Sequence, residues 1–173
     1  SEGFIMEEIT IRPSNEEDYT YINKIKKLET TLENVIAEPE EKGSPNVRNK
    51  GRNIIKTDYW YIALDNNTPI GAALLKRYTS RNHQHVATVE ITVDKKFQDK
   101  NIEDSLMKEI LLLSDKILKL KRLEVFISSS NTKYINFYKK YDFLIEGLKK
   151  YSICENNTLV DEFMMSRIQY TNM

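Results

Sequence analysis

The residues with the richest chemistry within reach of one another are Lys95-Lys96-Phe97-Gln98-Asp99-Lys100-Asn101-Ile102-Glu103, which join a strand-like run to a helical one. In α/β sheets ligands gather at the carboxyl ends of strands, and a helix that starts there offers unpaired amides to an anion. This loop is therefore the natural place for a phosphate. Other reactive side chains are less well placed. His83 and His85 are spaced to share one strand face. Zinc, however, takes roughly three or four protein ligands, and no Cys/His cluster accompanies them, so no metal is expected. Cys154 has no histidine near it in the sequence and reads as an idle or buried thiol. The basic residues Lys42, Arg48, Lys50, Arg52 and Lys56 flank a long loop. They are placed to receive an acidic substrate or a cofactor phosphate, or simply to keep that loop solvated. Tyr59, Trp60 and Tyr61 read as strand packing rather than as a stacking platform.

The elements that must position this loop follow from the hydropathy pattern. Glu8 to Arg12 alternates polar and apolar residues and predicts a strand that Pro13 stops. Ser14 and Glu17 have capping-box spacing, so a helix is expected next, with Tyr21, Ile22, Ile25 and Leu28 on one face. A second short helix is expected over Leu32 to Ile36, and residues 38 to 53, with Pro39, Gly43, Pro45 and Gly51, read as a loop. Tyr59 to Leu64 and Ile70 to Arg77 predict a hairpin around Asp65-Asn66-Asn67. His85 to Asp94 is the third strand-like run after them. From Ile102 the period becomes helical, with Leu106, Ile110, Leu113 and Ile117 in one stripe. Leu123 to Ile127 is the next strand, so a parallel pair joined by a right-handed crossover is implied. A helix over Thr132 to Tyr141 follows, then a hairpin of Leu144 to Ile153 and Leu159 to Ile168 around Asn156-Asn157. The fold class is α/β (α+β), a mixed and mostly antiparallel twisted sheet with one central parallel βαβ step.

Composition narrows the function. The 173 residues suit one domain spanning 1–173, with residues 1–5, ahead of Met6, set aside as an expression remnant. Lys plus Arg equals Asp plus Glu at 26 each, which argues against a dedicated nucleic-acid or membrane-surface binder. The longest apolar run, Ile70 to Leu75, is too short to span a bilayer, and no basic-then-apolar leader opens the chain. With a single cysteine, a reducing cytoplasm is expected.

Two stretches carry a family resemblance. Val93-Asp94-Lys95-Lys96-Phe97-Gln98-Asp99-Lys100-Asn101-Ile102-Glu103-Asp104-Ser105-Leu106 resembles motif A of the GNAT superfamily of N-acetyltransferases. That motif usually reads valine-aspartate-proline, an aromatic residue, then Arg/Gln-x-x-Gly-x-Gly/Ala. Asn131-Thr132-Lys133-Tyr134-Ile135-Asn136-Phe137-Tyr138-Lys139-Lys140-Tyr141-Asp142-Phe143 resembles motif B. Glu146-Gly147 and Val160-Asp161-Glu162-Phe163-Met164-Met165 are similar to the closing hairpin of the family. The motifs cover the C-terminal half, and the order of elements extends the likeness over the whole chain. Asn101 and Glu103 stand at the glycine positions of motif A, and Asp142 at the glycine of motif B. Asparagine tolerates a left-handed conformation. Glu103 suits the helix dipole but its charge opposes a diphosphate, with Lys95, Lys96 and Lys100 near enough in sequence to offset it.

The resemblance implies direct transfer of acetyl from acetyl-CoA to a primary amine of a small molecule or a peptide N-terminus, without an acyl-enzyme. It places Tyr138 as general acid toward the departing thiolate and Glu90 as base, directly or through water. For the donor it implies the main chain of Val93, the amides of Gln98, Asp99, Lys100, Asn101, Ile102 and Glu103, and the side chain of Asn131. Read without the family, Tyr138 is a core aromatic, Glu90 a solvent-facing strand residue and Asn131 a helix N-cap. A catalytically silent GNAT-like binding or dimerisation module is the alternative, and a homodimer is left open.

Overall fold

Both Asn-Asn pairs do what the hairpin reading requires. Asn66 and Asn67 lie at φ 45 and 70, and Asn156 and Asn157 at φ 48 and 61. Paired positive φ values give the turn whose twist matches the flanking strands. The computed structural model describes residues 8–25 and 56–170, with Asp99 by its backbone alone. Leu28, the helix expected over Leu32 to Ile36, the loop over 38 to 53 and its basic residues Lys42, Arg48, Lys50 and Arg52 lie outside the described residues.

The strands are β1 (Ile9–Pro13), β2 (Asp58–Asp65), β3 (Thr68–Arg77), β4 (Val86–Val93), β5 (Arg122–Ser128), β6 (Leu144–Glu155) and β7 (Thr158–Ile168). They form one seven-stranded sheet in the order β1-β2-β3-β4-β5-β7-β6. All neighbours are antiparallel except β4 and β5, as the crossover argument expects. The helices are α1, of which residues 19–25 are described, α2 (Ile102–Leu112) and α3 (Thr132–Lys140).

Strand alternation sends Val89, Ile91 and Val93 of β4 to the face covered by α2 and α3, where they meet Ile102, Leu106, Met107, Ile110 and Phe143. The opposite face packs Ile22 and Ile25 of α1 on Ile62, Leu64 and Ala72. Leu106 and Ile110 are fully buried, and each such side chain contributes roughly 1.5–3 kcal/mol. Ile117 departs from the expected stripe: it is 65% exposed. The helix widens to a π turn over Leu113–Ile117. Its longer hydrogen-bond loop rotates the following side chains, so Ser114 is buried and Ile117 faces water.

The first helical cap also differs from the expectation. Asn15, not Ser14, is the capping residue, and its Oδ1 accepts the Glu17 N–H at 2.9 Å. Asp18, not Glu17, reaches back to accept the Asn15 N–H at 2.8 Å. Asp18 is chosen because its carboxylate is also gripped by Arg12 of β1 through contacts of 2.6 and 3.1 Å. That guanidinium, first by its hydrogen bond, holds the Asp18 carboxyl below its ordinary value.

A second ionic clasp ties β5, β6 and β7. Arg122 donates to Glu146 at 2.9 and 2.5 Å and to Glu124 at 2.7 Å, while Ser166 also donates to Glu146. Hydrogen bonds from Arg122, then from Ser166, lower the Glu146 carboxyl to about 2. A folded pKa below the unfolded one gives stability that is complete above the unfolded value. It is lost as pH falls toward the folded value. Melting curves recorded from pH 5 to 2 are therefore expected to fall less steeply in Glu146→Gln than in the parent. Parallel curves would show that the clasp adds nothing in solution.

Candidate active site

The site begins where β4 and β5 part. Their parallel pairing is confined to Val86↔Arg122, Ala87↔Leu123 and Thr88↔Glu124, after which they part from each other, β4 still paired with β3 and β5 with β7. The splay opens a cleft of about 510 Å³. Residues from both faces of β4 line it: Val89, Ile91 and Val93 from the core face, Glu90 and Thr92 from the other. The cleft therefore opens between the strands rather than lying on one side of the sheet. Phe126 and Ser128 of β5 form the facing wall, and Asn131, Tyr134 and Tyr138 bring α3 to it.

Tyr138 is 3% exposed, with its ring edge-on to Phe143 at 5.2 Å and to Phe137 at 5.3 Å. Burial first, then the charges of Tyr134 and Glu90, push its phenol well above the ordinary tyrosine range. It is therefore a neutral O–H donor at physiological pH. Glu90 is exposed on its strand and borders the same cleft. Asn131 caps α3, its Oδ1 accepting the Tyr134 N–H at 3.3 Å, and it also lines the cleft. The N-cap reading of Asn131 therefore holds, and the residue also borders the cleft.

At the carboxyl end of β4 the chain turns sharply. Asp94 accepts the Lys96 N–H at 3.1 Å on its side chain and the Phe97 N–H at 2.8 Å on its carbonyl. A 3₁₀ turn over Lys95–Lys100 leads to Asn101, at φ 56 and ψ 28. Asparagine thus takes the left-handed conformation that a glycine would take there. Asn101 gives α2 no side-chain cap. The first N–H groups of α2 have no acceptor inside the helix, so they are an anion cradle by construction.

Gln98, Asn101 and Glu103 line a smaller hollow of about 100 Å³ at this helix start, with Asp104, Lys133, Tyr134 and Phe137. Gln98 and Tyr134 border both spaces. The structure therefore brings Glu90, Val93, Gln98, Asn131 and Tyr138 to the cleft, and Asn101 and Glu103 to the adjoining hollow. Ile102 is 1% exposed, so its side chain belongs to the core and only its main chain is at the helix start. Lys100 lies over the Phe97 ring at 5.3 Å. The side chain of Asp99 is outside the described residues.

Two site residues escape the sequence reading. Tyr134 precedes Tyr138 by one helical turn, the spacing that puts both on one face, and that periodicity was sufficient to find it. Lys133 approaches the start of α2 only through the tertiary fold. Lys133, from outside the loop that carries Lys95, Lys96 and Lys100, stands 3.8 Å from Glu103.

These residues fit a donor with a diphosphate and a long arm: uncapped amides, a left-handed turn that brings the main chain close, and a neighbouring cleft, reached past Gln98 and Tyr134, that holds a neutral phenol. Elsewhere, His83 is engaged by Ser80 at 2.6 Å, and no group of three or more His, Cys, Asp or Glu side chains converges on a metal-sized point among the described residues. No helix among them is long and apolar enough to cross a membrane.

Comparison with known proteins bears on the family and the fold. Residues 17–143 match the acetyltransferase (GNAT) family. The chain is 28% identical over 165 residues to the L-amino acid N-acetyltransferase AaaT of Escherichia coli strain K12, covering 95% of this chain and 100% of that protein. Among solved structures, a GNAT-family acetyltransferase from Streptococcus pneumoniae superposes with a TM-score of 0.71 at 18% identity, over 93% of this chain and 99% of that one. Mutant forms of the spermidine/spermine N-acetyltransferase SpeG from Vibrio cholerae give 0.69 at 17% identity, over 94% and 95%. At these identities the structural likeness establishes the fold.

Proposed function

This chain belongs to the GNAT family of acetyltransferases, and from that premise we propose that it moves an acetyl group from acetyl-CoA directly to a primary amine of a small molecule or a peptide N-terminus. The observation that carries the reading is the cleft between β4 and β5, lined by the buried phenol of Tyr138 and sharing Gln98 and Tyr134 with the hollow at the uncapped start of α2. The amine nitrogen attacks the thioester carbonyl, forming the C–N bond as the C–S bond breaks. Tyr138 gives its proton to the departing thiolate, and Glu90 takes the proton that the amine loses, directly or through one water. The acceptor named for the Escherichia coli relative, an L-amino acid, makes free amino acids the first class to try.

A silent module remains the second reading, favoured by one observation. Glu103 places a buried carboxylate in the first turn of α2, where a diphosphate would sit. Calorimetric titration with acetyl-CoA, combined with thiol-release assays over amino acids, polyamines and peptides, separates the two. Saturable heat and amine-dependent thiol release are expected. Neither signal at millimolar donor would leave only the module.

A further inference from the structure

Glu103 is the feature of this site most at odds with its proposed use. It is 5% exposed, and its Oε1 accepts no hydrogen bond. A carboxylate in the first turn is welcome to the helix dipole, but it repels any other anion brought to the same amides. The neighbouring Asp104 is not the problem. Burial would raise its carboxyl, yet hydrogen bonds from Lys140 and Tyr141 outweigh that and hold it low.

Lys133 bridges the hollow from the other side. It sits in the first turn of α3, with its side chain 57% exposed. Its Nζ donates to Gln98 Oε1 at 2.9 Å and stands 3.8 Å from Glu103 Oε1, within ion-pair reach but beyond a hydrogen bond. Gln98 in turn extends its amide toward the Val93 carbonyl at 3.4 Å. This cation thus links α3, the motif-A loop and α2, and lines the hollow at the start of α2.

We infer that Lys133 is a donor-binding residue: its ammonium screens Glu103 and, with hydrogens to spare, binds the diphosphate of acetyl-CoA at the start of α2. The inference rests on the proposed acetyl-CoA reading and deepens it. An ammonium has three donors, so holding Gln98 leaves two for phosphate oxygens. Its long stem lets the charge follow the ligand. In this chain the compensation for the missing small residue at Glu103 comes from a different helix.

The test compares the parent, Lys133→Met, Lys133→Arg and Lys133→Met/Glu103→Gln, with acetyl-CoA and with S-acetylpantetheine, which lacks the diphosphate. Lys133→Met is expected to weaken acetyl-CoA binding by about tenfold or more, the loss of roughly one charge-assisted contact. Turnover at saturation stays within about twofold, since uniform binding alone is removed. Lys133→Arg keeps most of the affinity, and Glu103→Gln restores a large part of what Lys133→Met loses. The KM for S-acetylpantetheine does not move. An unchanged acetyl-CoA affinity in Lys133→Met, or an equal loss toward S-acetylpantetheine, would overturn the inference while leaving the enzyme reading intact. A parent that binds no acetyl-CoA would overturn both.

Discussion

Replacing Tyr138 with Phe is expected to lower turnover by about 10²–10⁴-fold, the range for losing a positioned proton donor. The affinity for acetyl-CoA should stay within about twofold, because the change removes one oxygen from a side chain whose ring packing is retained. The geometry makes this a sharp test. The ring is fixed edge-on between Phe137 and Phe143, so phenylalanine fills the same space. The pH dependence gives an independent readout. A free tyrosine titrates at about 10, and burial in this cleft, followed by the charges of Tyr134 and Glu90, moves Tyr138 upward. The acid form therefore persists through the whole working range, and an alkaline fall in rate below about pH 10 would have to come from another group.

Stability has the same sign. The neutral phenol costs nothing at lower pH. Once the unfolded tyrosine begins to ionise, at about pH 10, native stability falls as pH rises toward the folded value. Tyr138→Phe should lose less stability over that interval than the parent. Equal turnover in mutant and parent would remove Tyr138 from the chemistry and turn attention to Tyr134, the other phenol on the same helix face.

Which of these features the sequence discloses depends on how local their causes are. The hairpins at Asn66-Asn67 and Asn156-Asn157 are visible because a turn is decided by its own residues. Asn101 and Asp142 are visible for the same reason. Each occupies a position that needs positive φ, and each residue type tolerates it, at φ 56 and 65. The cap at Asn15 and Asp18 is shifted by one position because the deciding partner, Arg12, is on β1 and outside any capping pattern. Ile117 continues a perfect helical stripe in the sequence. Nothing in that periodicity announces that the backbone widens at Leu113. The bridge from Lys133 to Gln98 and Glu103 joins residues distant in sequence, so no spacing rule reaches it. The position of the cleft was legible from the crossover. Its electrostatic balance was not, because that balance is set across two helices.

The coupling between core and chemistry is most exposed at Phe143. This ring is fully buried beneath α3, next to the left-handed Asp142. It meets Tyr138 twice, by ring contact at 5.2 Å and by a hydrogen bond from its own N–H to the Tyr138 carbonyl at 3.2 Å. Phe143→Ala should cost about 3–5 kcal/mol in urea unfolding, from lost transfer energy and the cavity left behind. That loss is a large share of the stability of a single domain, so the informative variant is Phe143→Leu, expected to cost about 1–1.5 kcal/mol and to fold. Leucine keeps the hydrogen bond, which is main-chain, but removes the edge contact worth about 0.5–1.5 kcal/mol that orients the phenol. Turnover in Phe143→Leu is therefore expected to fall about tenfold, as a small misplacement of a reacting group allows, with the KM for acetyl-CoA unchanged. A variant destabilised by that amount yet with parental turnover would mean that Phe137 alone aligns Tyr138, and that the core beneath the site does no more than hold the helix in place.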